Sequence, residues 1–303
     1  MITRREWITG LGASALLLSL EGCEAKAKPA RFVYITDLHS INDWGCPDAL
    51  PLVSDRINRL NPEFILIGGD LVHGGFRSTP EAMEPHWQVV LKFLKSLQAP
   101  WFAAPGNHDL VGAQHPDFST NLADPRQSFR EKMGLTKTAY HSHDIAGHHV
   151  ILLDSVQPVA GNKWGYEGRI PDEQMQWIRN DLLSVHPRTP IIVVTHMPIL
   201  SGYYQTVLGS TTAPPPSLTL VNGMNVIRLF DQHNLQLVLQ GHLHVDEILR
   251  WRNLTFITGG AVSGKWWGGP NHGTPEGYGL VTLSSPHPTW AYHTYDWKAQ
   301  RPA

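Results

Sequence analysis

The chain has 303 residues, 42% hydrophobic and 17% charged, with a formal net charge of −2. That length and composition support one or two domains with a sizeable core, and the charge argues against a basic nucleic-acid face and an acidic disordered tail. Histidine is plentiful, 17 residues against 24 for lysine and arginine together, which turns attention to metal chemistry.

In chain order, "ITRREW" places Arg4 and Arg5 before an apolar stretch, Leu11–Leu20, that is too short to span a bilayer and has signal-peptide length. Residues 1–27 are therefore expected to be a twin-arginine export segment leading to the periplasm or beyond the cell. Small residues at Ala25–Ala27 offer a cleavage site, and "LEGC" ending at Cys23 offers lipid attachment, the sole route to a membrane anchor. Cleavage after Ala27 would leave Cys46 alone, a small loop residue with no disulfide partner. Residues 28–303 are expected to form a single soluble domain, since no second apolar stretch reaches about 18 residues.

Five apolar runs follow one pattern. "RFVYIT" leads to Asp37, "EFILIGG" to Asp70, "APWFAAPG" to Asn107 and His108, "TPIIVVT" to His196, and "LQLVLQG" to His242 with His244 two residues on. Such runs read as strands buried on both faces. If the first strand continued, Asp37 and His39 would share a face, because positions i and i+2 point the same way. Helical patterns cover Asp48–Leu60, Pro80–Leu97, Asp172–Ser184 and Gly223–His233. The alternation predicts α/β architecture, with ligands gathered at strand carboxyl ends. Tyr140–Ser155 reads as a hairpin turning near Ala146–Gly147. Later strands are expected at Val245–Trp251, Thr255–Thr258, Gly279–Leu283 and Thr289–Tyr295, forming a mostly antiparallel second sheet stacked on the first. "TTAPPPS" (Thr211–Ser217) sits in a long irregular stretch of the kind that is often functional.

The strand ends deliver Asp37, His39, Asp70, Asn107, His196, His242 and His244: two carboxylates, one amide and four imidazoles. Oxygen and imidazole donors without thiolates suit Mn, Fe, Zn or Co, and argue against a structural zinc site. The set exceeds one tetrahedral site and fits two metals if a carboxylate bridges them.

The blocks "DLH", "GGDLV", "PGNHD", "THMP" and "GHLH", in this order over about Phe32–Val245, resemble those of the calcineurin-like metallophosphoesterases. The resemblance implies a four-layer α/β/β/α sandwich with two central mixed sheets and a dinuclear metal site at strand carboxyl ends. It implies that Asp37, His39, Asp70 and His244 hold the first metal. Asp70, Asn107, His196 and His242 would hold the second, with Asp70 bridging. His108 would donate a proton to the leaving group, with Asp109 orienting it. The implied activity is hydrolysis of a small phosphoester, preferentially a diester, by a hydroxide formed on the metals. His39, and the lack of a tyrosine in Asp70-Leu71-Val72-His73, make the chain look more like the cyclic-nucleotide and glycerophosphodiester branch than like purple acid phosphatases. Nuclease members share the blocks, but the near-neutral charge leaves no track for nucleic acid. A phosphomonoesterase of the same fold, or a metal-containing binding protein without turnover, remains open.

"GKWWGGPNHGTPEGYG" (Gly264–Gly279) adds Trp266, Trp267 and His272. These are either an aromatic wall for the substrate or, for a tryptophan, a plug at the sheet edge. Trp164, Tyr203 and Tyr204 have weaker claims on substrate. His141, His143, His148 and His149 read as surface residues of the hairpin, and His73 lies close enough to Asp70 to support a ligand.

Overall fold

The structure is a computed structural model and describes residues 29–114, 124–160, 163–283 and 287–301. The export segment expected at 1–27, with Arg4, Arg5 and Cys23, lies outside the described residues. Among them, no helix is long and apolar enough to cross a membrane.

One sheet contains β1 (Arg31–Ile35), β2 (Phe64–Ile67), β3 (Trp101–Ala103), β12 (Gly277–Thr282) and β13 (Thr289–Thr294), ordered β13-β12-β1-β2-β3. The other contains β4 (His141–Ile145), β5 (His148–Leu152), β8 (Pro190–Thr195), β9 (Asn234–Gln240), β10 (Glu247–Trp251) and β11 (Leu254–Thr258), ordered β10-β11-β9-β8-β5-β4. A small ribbon pairs β6 (Val156–Pro158) with β7 (Tyr166–Gly168). The helices are α1 (Cys46–Leu60), α2 (Pro80–Ser96), α3 (Gln127–Met133), α4 (Asp172–Leu182) and α5 (Gly223–Arg228).

Strand periodicity builds the layers. Along β1 and β2, Phe32, Tyr34, Phe64 and Leu66 pack with Val150, Leu152, Ile192, Val194 and Leu239 between the sheets. The alternate residues Val33, Ile35, Ile65 and Ile67 face the other way, against Val53 and Ile57 of α1 and Trp87, Val90 and Phe93 of α2. On the far side, Ile151, Ile191, Val193 and Val238 meet Met175, Ile178 and Leu182 of α4 and Val226 of α5. The result is the four-layer α/β/β/α sandwich, and the continuous apolar runs are explained by burial on both faces.

The expected antiparallel second sheet is corrected. The parallel strands are divided: β1, β2 and β3 run in one sheet, and β5, β8, β9 and β11 in the other. The C-terminal strands are divided as well, so both sheets are mixed. Periodicity marks which residues of a strand are buried but not which sheet receives it. Cys46 heads α1 rather than lying in a loop, and burial pushes its thiol up to about 11.

The hairpin histidines are also corrected in part. His141 Nε2–H donates to Ala103 O at 3.0 Å, tying β4 to the other sheet. His149 is buried between two carboxylates, with Nδ1 2.7 Å from Asp144 and Nε2 2.8 Å from Asp181. Burial opposes charge on His149, but hydrogen bonds to Asp181 and Asp144 raise it above its ordinary value. A raised imidazole stabilises the fold fully below its unfolded pKa, about 6.5, and loses that contribution as pH rises through the folded value. His149→Ala is therefore expected to destabilise by ~1–3 kcal/mol near pH 6 and by less in alkaline buffer. Denaturant midpoints for both proteins across pH 5.5–9 check this; a constant difference would show that His149 acts by packing alone.

Candidate metal centre

The candidate ligands come from loops just beyond strand ends. Asp37 and His39 follow β1, Asp70 follows β2, Asn107 follows β3, His196 follows β8, and His242 and His244 follow β9. β1 ends at Ile35, so Asp37 and His39 do not share a strand face. Both are left-handed, at φ 55° and 43°, as are Asp70 (52°), His242 (71°) and His244 (54°). A non-glycine residue in this region costs ~1–2 kcal/mol. Five such positions around one point mark a site whose geometry the surrounding packing imposes. Glycine allows the close approach: a β-carbon on Gly106 would collide with the Asp70 carboxylate, and Gly69, at φ 96°, has no room for one beside Gly106 and His196.

The side chains converge as two groups sharing one atom. In the first, His39 Nε2 lies 3.0 Å from His244 Nε2 and 3.8 Å from Asp37 Oδ1, and His244 Nε2 lies 3.2 Å from Asp37 Oδ1. In the second, His196 Nε2 lies 3.1 Å from both Asn107 Oδ1 and His242 Nδ1. Asp70 Oδ2 stands between the groups, 3.4 Å from His39 Nε2 and 3.4 Å from His196 Nε2. Donor atoms bound at ~2.1 Å to one ion stand ~3.0–3.4 Å apart at octahedral and tetrahedral edges. The donor set and its spacing therefore fit two ions.

Three of the four imidazoles are oriented from behind by backbone carbonyls. His196 Nδ1–H donates to Gly68 O at 2.9 Å, His244 Nδ1–H to Gly264 O at 2.5 Å, and His242 Nε2–H to Ser217 O at 3.0 Å. Each bond fixes a tautomer and turns the other nitrogen's lone pair toward the cluster. Ser217 belongs to the irregular stretch flagged in the sequence. His39 differs, because its Nδ1 faces His73 Nδ1 at 3.4 Å.

The buried carboxylates favour positive charge at the cluster. Burial would raise Asp70, but the His196, His108 and His39 rings hold its carboxyl well below the usual range. Burial disfavours a proton on His196, yet Asp70 and Asp37 push it up to about 9. Burial and then the charge on His196 push His242 down to about 4.

His108 and Asp109 part company. Asp109 was expected to orient His108, but its oxygens accept backbone N–H bonds from Leu71 (2.8 Å), Val72 (3.1 Å) and Gly106 (2.8 Å). It ties the Asp70 loop to the Asn107 loop, while burial and then Asp70 push its carboxyl up to about 8. His108 Nδ1 instead accepts a hydrogen bond from Gly74 N–H at 2.8 Å. A ring nitrogen that accepts carries no proton, so His108 carries its proton on Nε2, 4.0 Å from Asp70 Oδ2.

A cavity of about 580 Å³ opens over the cluster, lined by Phe76, Tyr166, Trp164 and Leu218, and by Tyr203, Leu243, Trp266 and His272. The two tryptophans are placed differently. Trp267 is fully buried, and its Nε1–H donates to His39 O at 2.9 Å. Trp266 is 37% exposed and covers His244 and His39, its ring centroid 5.0 and 6.2 Å from theirs. Tyr204 is buried and donates to Leu218 O, outside the lining, whereas Tyr203 and His272 meet at the cavity edge. Arg77 and Lys265, which the sequence reading did not single out, also line it. Only proximity in the fold reveals them.

Comparison with known proteins agrees with this geometry. The chain is 27% identical over 180 residues to purple acid phosphatase 21 of Arabidopsis thaliana, covering 57% of this chain and 37% of the plant protein. It is 25% identical over 239 residues to a 3′,5′-cyclic-nucleotide phosphodiesterase of Nostoc, covering 76% and 77% of the two chains. It thus spans about two-fifths of the length of the purple acid phosphatases it matches. Its fold is similar to that of a dimetal phosphatase from Danio rerio, with TM-score 0.61, 15% identity, and coverage of 88% of this chain and 96% of that one. A family model described as calcineurin-like phosphoesterase matches residues 30–246, a span that holds the groups Asp37, His39 and His244 and Asp70, His196 and His242, and the chain belongs to the calcineurin-like phosphoesterase family.

Proposed function

We propose that this protein is a dinuclear-metal hydrolase of small phosphoesters and that phosphodiesters are preferred. The observation that carries the reading is the position of Asp70 Oδ2, shared at 3.4 Å between an imidazole of each ligand group. Asp37, His39, Asp70 and His244 would hold one ion, and Asp70, Asn107, His196 and His242 the other. Bound ions would polarise the phosphate oxygens and make water nucleophilic near neutral pH. Mn, Fe, Zn and Co all suit these donors.

The chain's own groups do the rest. His108 presents Nε2–H to an oxygen of the departing group. Because Gly74 N–H occupies Nδ1, a second proton on the ring would face a donor, so His108 works as a neutral hydrogen-bond donor. Trp266 covers the first ligand group from bulk water and offers a flat face to the organic part of the substrate. Apolar walls on both sides of the cluster favour an ester with an organic group on each side of phosphorus. Arg77 and Lys265, which line the cavity, add attraction for anionic substrates. The proposal includes residues 28–303 as one domain, exported through the twin-arginine segment and anchored only if Cys23 is lipidated.

The substrate class is tested with esters that share one leaving group. kcat/KM is expected to be higher for bis(4-nitrophenyl) phosphate than for 4-nitrophenyl phosphate in protein loaded with Mn; the reverse order would favour the phosphomonoesterase, and no turnover of either would favour a binding protein. Asp70→Ala is expected to lower metal content at both positions, and two retained ions per chain would refute the shared carboxylate. His108→Ala should keep both metals and lose ~10²–10³-fold in kcat, as for other lost transition-state donors. The loss should be only modestly larger for an alkyl than for a nitrophenyl leaving group. A much larger loss on the alkyl ester would show that His108 delivers a full proton.

A further inference from the structure

The Asp70–Gly74 loop touches the cluster at every residue. Asp70 supplies the shared oxygen, Leu71 and Val72 donate to Asp109, and Gly74 donates to His108. His73 is the remaining member, and the function above gives it no role. Its ring edges onto His39 (centroids 5.4 Å), stacks on His108 (5.3 Å) and meets Trp44 edge-on (5.5 Å). Its main chain is fixed by N–H donation to Ser40 O at 3.0 Å, and its carbonyl stands 3.2 Å from His86 Nδ1.

We infer that His73 is a positioning residue: its Nδ1 accepts the Nδ1–H of His39 and so turns the His39 Nε2 lone pair toward the first ligand group. The inference rests on the two-metal reading and follows from an exception within it. Three candidate ligand imidazoles give their rear N–H to a backbone carbonyl, whereas among the described residues His39 Nδ1 meets another imidazole, at 3.4 Å. A carbonyl always accepts; an imidazole accepts only through a bare nitrogen. His39 is therefore the ligand whose orientation depends on a side chain, and that side chain can be replaced. Outer partners of this kind change metal affinity by about 10–100-fold when removed.

The test uses the full chain with His73→Leu, which deletes the acceptor, and His73→Asn, whose Oδ1 restores one near the same place. Zn²⁺ affinities of both sites are measured by chelator competition, beside the thermal midpoint of each metal-free protein. His73→Leu is expected to weaken one site by about 10–100-fold and leave the other unchanged, with His73→Asn close to wild type. Unchanged affinities, equal weakening at both sites, or an Asn variant as weak as Leu would overturn the assignment. If His73→Leu fails to fold, ring nitrogen-15 spectra of the zinc-loaded wild type decide. His73 is expected with a bare Nδ1 and its proton on Nε2, and a proton on His73 Nδ1 would refute the proposal. A wild type that binds no zinc would refute the two-metal reading itself, which is a different result from any of these.

Discussion

One carboxylate oxygen between two imidazoles from opposite sheets is the constraint on which this structure depends. Asp70 Oδ2 meets His39 from the β1 side and His196 from the end of β8, at 3.4 Å in each case. Its other oxygen accepts the His108 N–H at 2.8 Å, so the carboxylate cannot turn away. The two sheets must therefore be packed in one register for the site to exist. The apolar layer between them, built on Phe32, Tyr34, Ile192 and Val194, sets that register. Close packing makes it stiff, since cores deform little without loss of contact.

The cost of the arrangement is visible in the backbone. Five candidate ligands occupy left-handed conformations that side chains ordinarily avoid. Two carboxylates and three imidazoles are buried together, with His242 partly buried beside them, which is unfavourable unless charge is neutralised and every polar atom is partnered. The rear hydrogen bonds to Gly68, Ser217 and Gly264 carbonyls and the N–H bonds into Asp109 provide those partners. The remaining electrostatic demand is for positive charge, seen in the rise of His196 against its burial. A proton on His196 meets that demand in part, so protons and metal ions compete for the same lone pairs.

The loop around Trp266 and Trp267 shows how a pair of identical neighbours takes opposite roles. Both are left-handed, at φ 49° and 67°, so their side chains diverge. Trp267 enters the core and bonds the His39 carbonyl, while Trp266 stays over His244 and His39. Arg301 steadies the arrangement, donating to Trp266 O at 3.1 Å and lying over the Trp44 ring at 4.2 Å. The wall of the cavity is thus tied to the backbone of a candidate ligand, His39.

By itself, the sequence determined the α/β class, the five strand ends and the residues gathered there, because buried strands write continuous apolar runs and metal chemistry restricts side-chain type. It also carried the family resemblance, in five short blocks whose order the fold preserves. Tertiary structure decided the rest. Which sheet receives each strand depends on packing between distant segments, so the split of the C-terminal strands was hidden. Asp37 and His39 do point into the site, but through left-handed turns and not through strand alternation. The partner of a hydrogen bond is chosen by geometry across the chain: Asp109 met backbone N–H groups instead of His108, Gly74 took the place behind His108, His149 found Asp181, and His73 came to stand behind His39.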